Sequence, residues 1–184
     1  MISVQILREG RIEKLEGKLV ADCTVTLIQG DKNILVDTGG CGDAEAILSE
    51  LQKRNLKPEG IDIVIATHNH PDHTWNNYLF PGALFFCAGI LQRGNQFWDA
   101  EEGWKPMQGV EVIHTPGHSP EDYTVLAKAD KGTIAIVGDL IMDEQTKNKP
   151  GHYSHDAEVQ GQNQQKVLEM ADFIVPGHGS LFRS

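Results

Sequence analysis

A cluster of three histidines and one aspartate lies within residues 68–73, and its side chains are well suited to metal chemistry. The run reads His68-Asn69-His70-Pro71-Asp72-His73. Imidazole and carboxylate groups are the ligands that zinc and other divalent metals commonly take from proteins. Because the run contains a proline and follows the apolar residues 61–66, we expect a loop at the end of a buried strand. A surface loop that is rich in histidine by composition is the alternative interpretation.

Further candidate ligands lie beside glycines much later in the chain. Glycine directly precedes His118, Asp139 and His178, and it permits close backbone approach and unusual φ angles. Together with the cluster, these residues give five imidazoles and two carboxylates, which make seven ligands. Seven ligands suit two metal ions if one carboxylate bridges them and each ion keeps an open position. The predicted ligands are His68, His70, Asp72, His73, His118, Asp139 and His178.

Strands and two helices must position these side chains. An amphipathic helix is predicted to begin after Asp43, its N-cap, and to end near Asn55, and a second helix is predicted at residues 157–171. Two blocks of strands separated by helices favour an α/β (α+β) fold, an αββα sandwich of two mixed sheets with helices outside. Periodicity alone leaves the topology open. The predicted strands are residues 2–7, 19–28, 34–36, 61–66, 83–87, 110–115, 123–127, 133–137 and 173–175.

Length and composition restrict the class of protein. The 184 residues contain no repeat or linker, so one domain over residues 1–184 is expected. A net charge of −10 disfavours a nucleic-acid partner held by charge alone, although a bound metal could still attract a phosphate-bearing substrate. The three cysteines form no CxxC pair, and the sequence shows no signal peptide and no bilayer-length apolar run. We therefore expect a cytoplasmic protein with no membrane partner.

The motifs taken together resemble the metallo-β-lactamase superfamily. The resemblance rests on the HxHxDH motif at residues 68–73, on Val-Asp-Thr-Gly at residues 36–39, and on the glycine-preceded His118, Asp139 and His178. These features occur in the family's order and span residues 36–178. Stretches at residues 35–40, 66–68, 77–83, 135–139 and 171–179 further resemble a small subgroup that is associated with RNA processing. The resemblance implies an αββα sandwich with the site at one edge.

The resemblance also divides the ligands between two metal ions. It implies that His68, His70 and His118 hold the first ion, and that Asp72, His73 and His178 hold the second. Asp139 would bridge the two ions, and Asp37 would support the histidine loop by hydrogen bonding. A donor set without thiolate suits two Zn²⁺ ions, with Fe or Mn as alternatives.

The expected activity is hydrolysis by a metal-bridging hydroxide, which would attack an ester, thioester, amide or phosphodiester bond of a small-molecule or phosphodiester substrate. Asp72 would be the catalytic residue that orients the hydroxide and accepts its proton. Three alternatives stay open: a mononuclear-iron oxidoreductase of the persulfide dioxygenase type, a small RNA- or phosphodiester-cleaving nuclease, and a non-catalytic metal-binding protein. The subgroup likeness favours the nuclease, and the acidic charge opposes it. No substrate-binding residue is predicted, and segment 143–155 is either a flank of the site or an exposed loop.

Overall fold

A seven-stranded mixed sheet forms one half of the computed structural model, which describes residues 2–184. Its three central strands are parallel, and the outer pairs are antiparallel. The order across the sheet is β1 (Ser3–Arg8), β4 (Val25–Gln29), β5 (Asn33–Val36), β6 (Ile63–Ile65), β7 (Leu84–Cys87), β8 (Ile90–Arg93) and β9 (Gln96–Asp99).

A five-stranded sheet forms the other half. Its order is β10 (Val110–His114), β11 (Tyr123–Ala129), β12 (Gly132–Ile136), β13 (Phe173–Val175) and β14 (Phe182–Arg183), and only β12 and β13 are parallel. A separate hairpin consists of β2 (Arg11–Leu15) and β3 (Lys18–Asp22). The helices are α1 (Ala44–Lys53), the single turn α2 (Pro71–Thr74) and α3 (Ala157–Met170). Within residues 2–184, none of these helices has the length and apolar character that crossing a bilayer requires.

The alternation of side chains along the strands builds a core in three layers. In β5, Ile34 and Val36 lie in the cluster between the two sheets, whereas Leu35 packs on the other face with Ile47 and Leu51 of α1. The same holds for β13, where Val175 points between the sheets and Ile174 packs towards α3. Burying each such side chain contributes about 1.5–3 kcal/mol. The order helix, sheet, sheet, helix confirms the predicted αββα sandwich.

Two local predictions differ from the structure in detail. The single strand expected at residues 19–28 is two strands, interrupted at Cys23 and Thr24. Asp43 lies at the N-cap position of α1, but its side chain makes no capping hydrogen bond. It instead accepts the Gly40 N–H at 2.8 Å and pairs with Arg8 at 2.9 Å. The carboxylate therefore joins α1 to β1 rather than closing the helix end.

Strand direction explains where a site can form. The carboxyl ends of β5, β6 and β7 share one edge because these strands are parallel. Strands β10, β12 and β13 also run in one direction, since two antiparallel pairings separate β10 from β12. Loops that follow parallel strands can converge at a common edge. Every predicted site residue follows one of these strands: Asp37 after β5, the His68–His73 cluster after β6, His118 after β10, Asp139 after β12 and His178 after β13.

Candidate metal centre

The seven predicted ligands and Asp37 meet at this edge. The loop after β6 continues into α2, which begins with Pro71 at its first helical position. That single turn places Asp72 half-exposed towards solvent and buries His73 beneath it. Four of the other side chains are also buried, namely His68, His118, Asp139 and His178, whereas His70 is exposed.

Three imidazole nitrogens converge on one side of the centre. Nδ1 of His70 lies 2.9 Å from Nε2 of His68 and 3.1 Å from Nε2 of His118. The rings stand nearly perpendicular to one another, with interplanar angles between 76° and 87° for the pairs that involve His70. Ring nitrogens at such separations direct lone pairs to a shared point, as three histidine ligands of one metal ion do.

The second group lies around His73 and His178. Nε2 of each ring approaches Oδ2 of Asp72, at 3.8 Å for His73 and 3.7 Å for His178. Ligand-type atoms of these three residues all lie within 4.8 Å of one another. Two nitrogens and one carboxylate oxygen make a mixed donor set that suits Zn²⁺, Fe or Mn.

Asp139 lies between the two groups, and both of its oxygens face imidazole nitrogens. Oδ1 is 3.2 Å from Nε2 of His73 and 3.1 Å from Nε2 of His178. Oδ2 is 3.3 Å from Nε2 of His178, 3.5 Å from Nε2 of His118 and 4.0 Å from Nε2 of His68. Within residues 2–184, the buried Oδ1 of Asp139 and Nε2 of His73 have no hydrogen-bond partner. Since unpaired buried polar atoms are costly, these residues fit a bound cation.

Hydrogen bonds behind the rings select the tautomers. Nδ1 of His73 donates to Oδ2 of Asp37 at 2.8 Å, and Nδ1 of His178 donates to the Asp22 carbonyl at 3.0 Å. With Nδ1 donating in this way, deprotonation of either ring leaves its lone pair on Nε2, which faces the centre. Asp37 itself adopts a left-handed backbone conformation, with φ +58°, which aspartate tolerates better than most residues. Its two oxygens also accept the N–H and hydroxyl of Thr67, at 2.8 and 2.9 Å.

The electrostatics favour positive charge at the centre of the site. Burial alone would lower the pKa of His73, but the carboxylates of Asp37 and Asp139 raise it well above its usual value. Burial would likewise raise the pKa of Asp139, but the facing imidazoles of His73 and His178 hold it well below its usual value. Burial is the main cause of the low pKa of His68 and His118, which keeps both rings neutral and able to donate lone pairs.

Two glycines allow the backbone to approach this closely. A Cβ atom on Gly177 would lie 2.1 Å from Oδ1 of Asp139 and 2.9 Å from the carbonyl of Gly138. Gly138 has φ +52°, and a Cβ there would meet the Thr67 hydroxyl at 2.4 Å. Both positions therefore require glycine for the carboxylate of Asp139 to reach the histidines.

A cavity of about 250 Å³ opens over the histidines. The hairpin β2–β3 contributes Ile12, Leu19 and Ala21 to its wall. Met142 and Tyr153 complete the apolar part, and none of the lining residues within 2–184 is Lys or Arg. Of the polar side chains in segment 143–155, only that of Tyr153 lines this cavity, and the His155 N–H donates to the His118 carbonyl at 3.1 Å, so the segment flanks the site.

Two residues beside the centre, Thr67 and Cys23, are not predicted from the sequence. Thr67 bonds to Asp37 and lies 3.2 Å from Nδ1 of His68, and its place directly before the cluster was the available signal. Cys23 has its thiol within 4.8 Å of ligand-type atoms of Asp37 and His73. Burial, and then the negative charge of Asp37, raise the pKa of this thiol well above its usual value.

Comparison with known proteins identifies the family. The family model described as metallo-beta-lactamase superfamily matches residues 20–106. The Xenopus laevis protein named metallo-beta-lactamase domain-containing protein 1 is 36% identical over 98% of this chain, which covers 81% of that protein. The chain belongs to the metallo-β-lactamase superfamily. The human protein with the same name is 35% identical over 82% of the chain, which spans 59% of its length.

Solved structures share the fold. A Thermotoga maritima protein assigned to the metallo-β-lactamases superposes with a TM-score of 0.77 at 21% identity, covering 100% of this chain and 99% of its own. An N-acyl homoserine lactone hydrolase, solved with N-hexanoyl-homoserine bound at its catalytic metal centre, gives a TM-score of 0.71 at 16% identity. That alignment covers 96% of this chain and 92% of the hydrolase. At these identities the likeness shows the fold alone.

Proposed function

We propose that this chain is a metal-dependent hydrolase with two adjacent divalent metal ions. His68, His70 and His118 would hold one ion, and Asp72, His73 and His178 the other, with Asp139 shared between them. The observation that carries this proposal is the placement of Asp139 between the two groups. Its Oδ1 lies 3.2 and 3.1 Å from Nε2 of His73 and His178, and its Oδ2 lies 3.3, 3.5 and 4.0 Å from Nε2 of His178, His118 and His68. A carboxylate held in this way is suited to bridging two cations.

Zn²⁺ fits the nitrogen and oxygen donors best, with Fe and Mn as alternatives. Bound there, such ions supply Lewis acidity and lower the pKa of water towards neutrality. The protein's own contribution is preorganisation. Asp37 and the Asp22 carbonyl fix the rings of His73 and His178 with Nε2 directed inwards, so no ring must turn when a ligand binds.

Asp72 is the residue we assign to proton transfer. Its carboxylate lines the cavity and is half-exposed, unlike the buried carboxylate of Asp139. It can therefore hold an attacking water in the open part of the site and accept its proton as the bond to substrate forms. The same carboxylate can return that proton to the leaving group.

The cavity wall favours an uncharged acyl substrate. Its apolar side chains, Ile12, Leu19 and Met142 among them, suit the hydrocarbon part of an ester, thioester, lactone or amide. Phosphodiester recognition usually relies on Lys or Arg, which do not line this cavity within residues 2–184. The fold shared with a lactone hydrolase is consistent with acyl transfer to water.

The decisive experiment combines metal analysis with a substrate panel. Metal content per chain should be measured by mass spectrometry, and turnover of acyl esters, thioesters, lactones and a phosphodiester should be compared. We expect about two metal ions per chain and preference for acyl substrates. Asp139→Ala and His118→Ala should lose activity and bound metal, whereas His152→Ala, at an exposed histidine outside the centre, should lose neither.

Three results would contradict the proposal. Full activity and unchanged metal content in Asp139→Ala would show that Asp139 does not bind metal. One iron per chain with thiol-dependent oxygen uptake would support a persulfide dioxygenase instead. Faster turnover of the phosphodiester than of any acyl substrate would support a nuclease.

A further inference from the structure

A second cavity, of about 500 Å³, lies where the outer strands of the two sheets approach each other. It is bounded by the turn between β7 and β8, by the segment that follows β9, and by β10 and β11. We call it the outer cavity. None of its lining residues also lines the cavity over the histidines, so it is a separate site.

The inner wall of the outer cavity is aromatic. The rings of Phe86 and Trp104 are stacked with centroids 5.3 Å apart and an interplanar angle of 10°. Tyr123 stands edge-on to Phe86 at 4.9 Å, and the ring of His114 lies 4.9 Å from Tyr123. Phe86 is 2% exposed, so this wall is fixed in the core rather than mobile on the surface.

The rim of the outer cavity is acidic. Asp99, Glu101 and Glu102 line it, all three are exposed, and no Lys or Arg lines it in the described part of the chain. The neighbouring Lys105 is directed to Glu111, with its ammonium nitrogen 4.0 Å from a carboxylate oxygen. The rim therefore carries three negative charges that have no cationic partner among residues 2–184.

Backbone hydrogen bonds hold the acidic segment against the aromatic wall. The Ala100 N–H donates to the Gly89 carbonyl at 2.8 Å, and the Val112 N–H donates to the Trp104 carbonyl at 2.8 Å. The first bond fixes the start of the segment on the β7–β8 turn, and the second fixes its end on β10. The carboxylates and rings thus face one space whose shape exists before any ligand enters.

We propose that the outer cavity binds a small organic cation with a methylated ammonium group. Aromatic faces attract cations through their quadrupole, and the surrounding carboxylates add a longer-range attraction. A methylated ammonium sheds water more readily than a bare ammonium, which is strongly hydrated. Its apolar methyl groups also match the stacked rings. This assignment uses none of the proposed metal ligands and does not depend on the proposed hydrolysis.

Titration with choline, followed by ¹H–¹⁵N correlation spectra of the full chain, tests the proposal. We expect saturable shifts that centre on the Trp104 indole and on the backbone of residues 99–104 and 123. The neutral carbon isostere 3,3-dimethyl-1-butanol has the same shape without the charge, and it should bind about tenfold more weakly. Added salt should weaken choline binding, because the rim charges are exposed.

Two variants separate charge from aromatic contact. Glu101→Gln/Glu102→Gln should weaken choline binding several-fold without changing metal content, and Trp104→Leu should abolish it. Because Trp104→Leu could disturb the core, the result for the glutamine variant alone is sufficient to test the proposal. Glu45→Gln/Glu59→Gln makes the same charge change at exposed sites near α1 and serves as the control.

The proposal is overturned by any of three outcomes. Choline could fail to give saturable shifts up to about 50 mM, a concentration far above a millimolar dissociation constant. The neutral isostere could bind as tightly as choline, which would make the cavity an apolar site. The control variant could weaken choline binding as much as Glu101→Gln/Glu102→Gln, which would show that only the net charge of the protein affects binding.

Discussion

Oδ2 of Asp37 accepts a hydrogen bond from Nδ1 of His73 at 2.8 Å, across a separation of 36 residues in the chain. The same oxygen accepts the hydroxyl of Thr67, and the other oxygen accepts the Thr67 N–H. Three donors therefore converge on one buried carboxylate. This arrangement commits the His73 proton to Nδ1 and leaves Nε2 free to face Asp139.

Replacing Asp37 by asparagine should weaken metal binding. The new amide would bring N–H donors towards Nδ1 of His73, so the ring proton would move to Nε2, where it blocks coordination. We expect metal affinity and activity to fall by about 10–100-fold, the usual effect of losing such a supporting carboxylate. Competition with a chromophoric chelator measures the affinity directly.

Asp31→Asn is the matched control for this change. Asp31 is exposed and contributes no side-chain hydrogen bond or ion pair within residues 2–184, so its variant should bind metal as the unchanged chain does. Wild-type metal affinity in Asp37→Asn would show that Asp37 does not set the tautomer of His73.

Gly177→Ala should disrupt the centre through a single methyl group. That Cβ would lie 2.1 Å from Oδ1 of Asp139 and 2.9 Å from the Gly138 carbonyl, so the carboxylate or the backbone must move. We expect a loss of bound metal and a fall of about 1–3 kcal/mol in the free energy of unfolding, measured by urea denaturation.

Gly179→Ala provides a close comparison, two residues away. Its Cβ would come no nearer than 3.5 Å to Asp143 or Pro176, which is ordinary van der Waals contact. Its free energy of unfolding should change by less than about 1 kcal/mol, and metal content should be unchanged. Equal effects of the two alanine substitutions would contradict the steric explanation.

The sequence predicts helices, strands and candidate ligands well where a local pattern coincides with burial. The helix α1 has its apolar residues Ile47 and Leu51 on one face, and β13 is a short apolar run before a proline, so the sequence predicts both within one or two residues. The candidate ligands were equally visible, because His118, Asp139 and His178 each follow a glycine at a strand end. Residue type and spacing are sufficient to locate the side chains that meet at this edge, and their role as ligands stays a prediction.

The hairpin β2–β3 shows why other parts of the fold and of the site are not predicted from the sequence. Four of the five residues of β2 are exposed, so its sequence has no alternation that marks a strand. Its turn uses Glu16 and Gly17, with φ of 44° and 78°, as a two-residue hairpin turn requires, but Glu is an uncommon residue there. The position of this hairpin over the histidines depends on tertiary packing, which a local sequence pattern does not reveal.

Thiol labelling should distinguish the three cysteines. Cys41 is exposed, whereas Cys23 is fully buried. Burial also raises the pKa of the Cys87 thiol to about 11, which leaves little thiolate at pH 8. We expect one fast-reacting thiol per folded chain with an aromatic disulfide reagent, and three after denaturation in guanidinium.

Substituting serine for single cysteines identifies the thiol that reacts in the fast phase of labelling. Cys41→Ser should remove it, and Cys87→Ser should leave it unchanged. A fast phase that survives in Cys41→Ser would mean that Cys87 or Cys23 is more accessible than its burial indicates.

Asp122 should make stability depend on pH between about 4 and 6. Burial raises the pKa of its carboxyl to about 6, although hydrogen bonds from Ser119 oppose the shift. A folded-state pKa above the unfolded value of about 4 means that protonation stabilises the fold. This contribution is fully present below pH 4 and is lost as the pH rises through 6.

Asp122→Asn isolates this effect, because asparagine is neutral and can still bond to both the N–H and the hydroxyl of Ser119. The free energy of unfolding of the variant, relative to that of the wild type, should increase by on the order of 3 kcal/mol from pH 4 to pH 7. This magnitude follows because about two pKa units separate Asp122 in the folded and the unfolded protein. Comparing the two proteins at each pH cancels the titration of all other groups. A difference that stays constant across this range would show that Asp122 remains ionised in the folded protein, with Ser119 compensating for its burial.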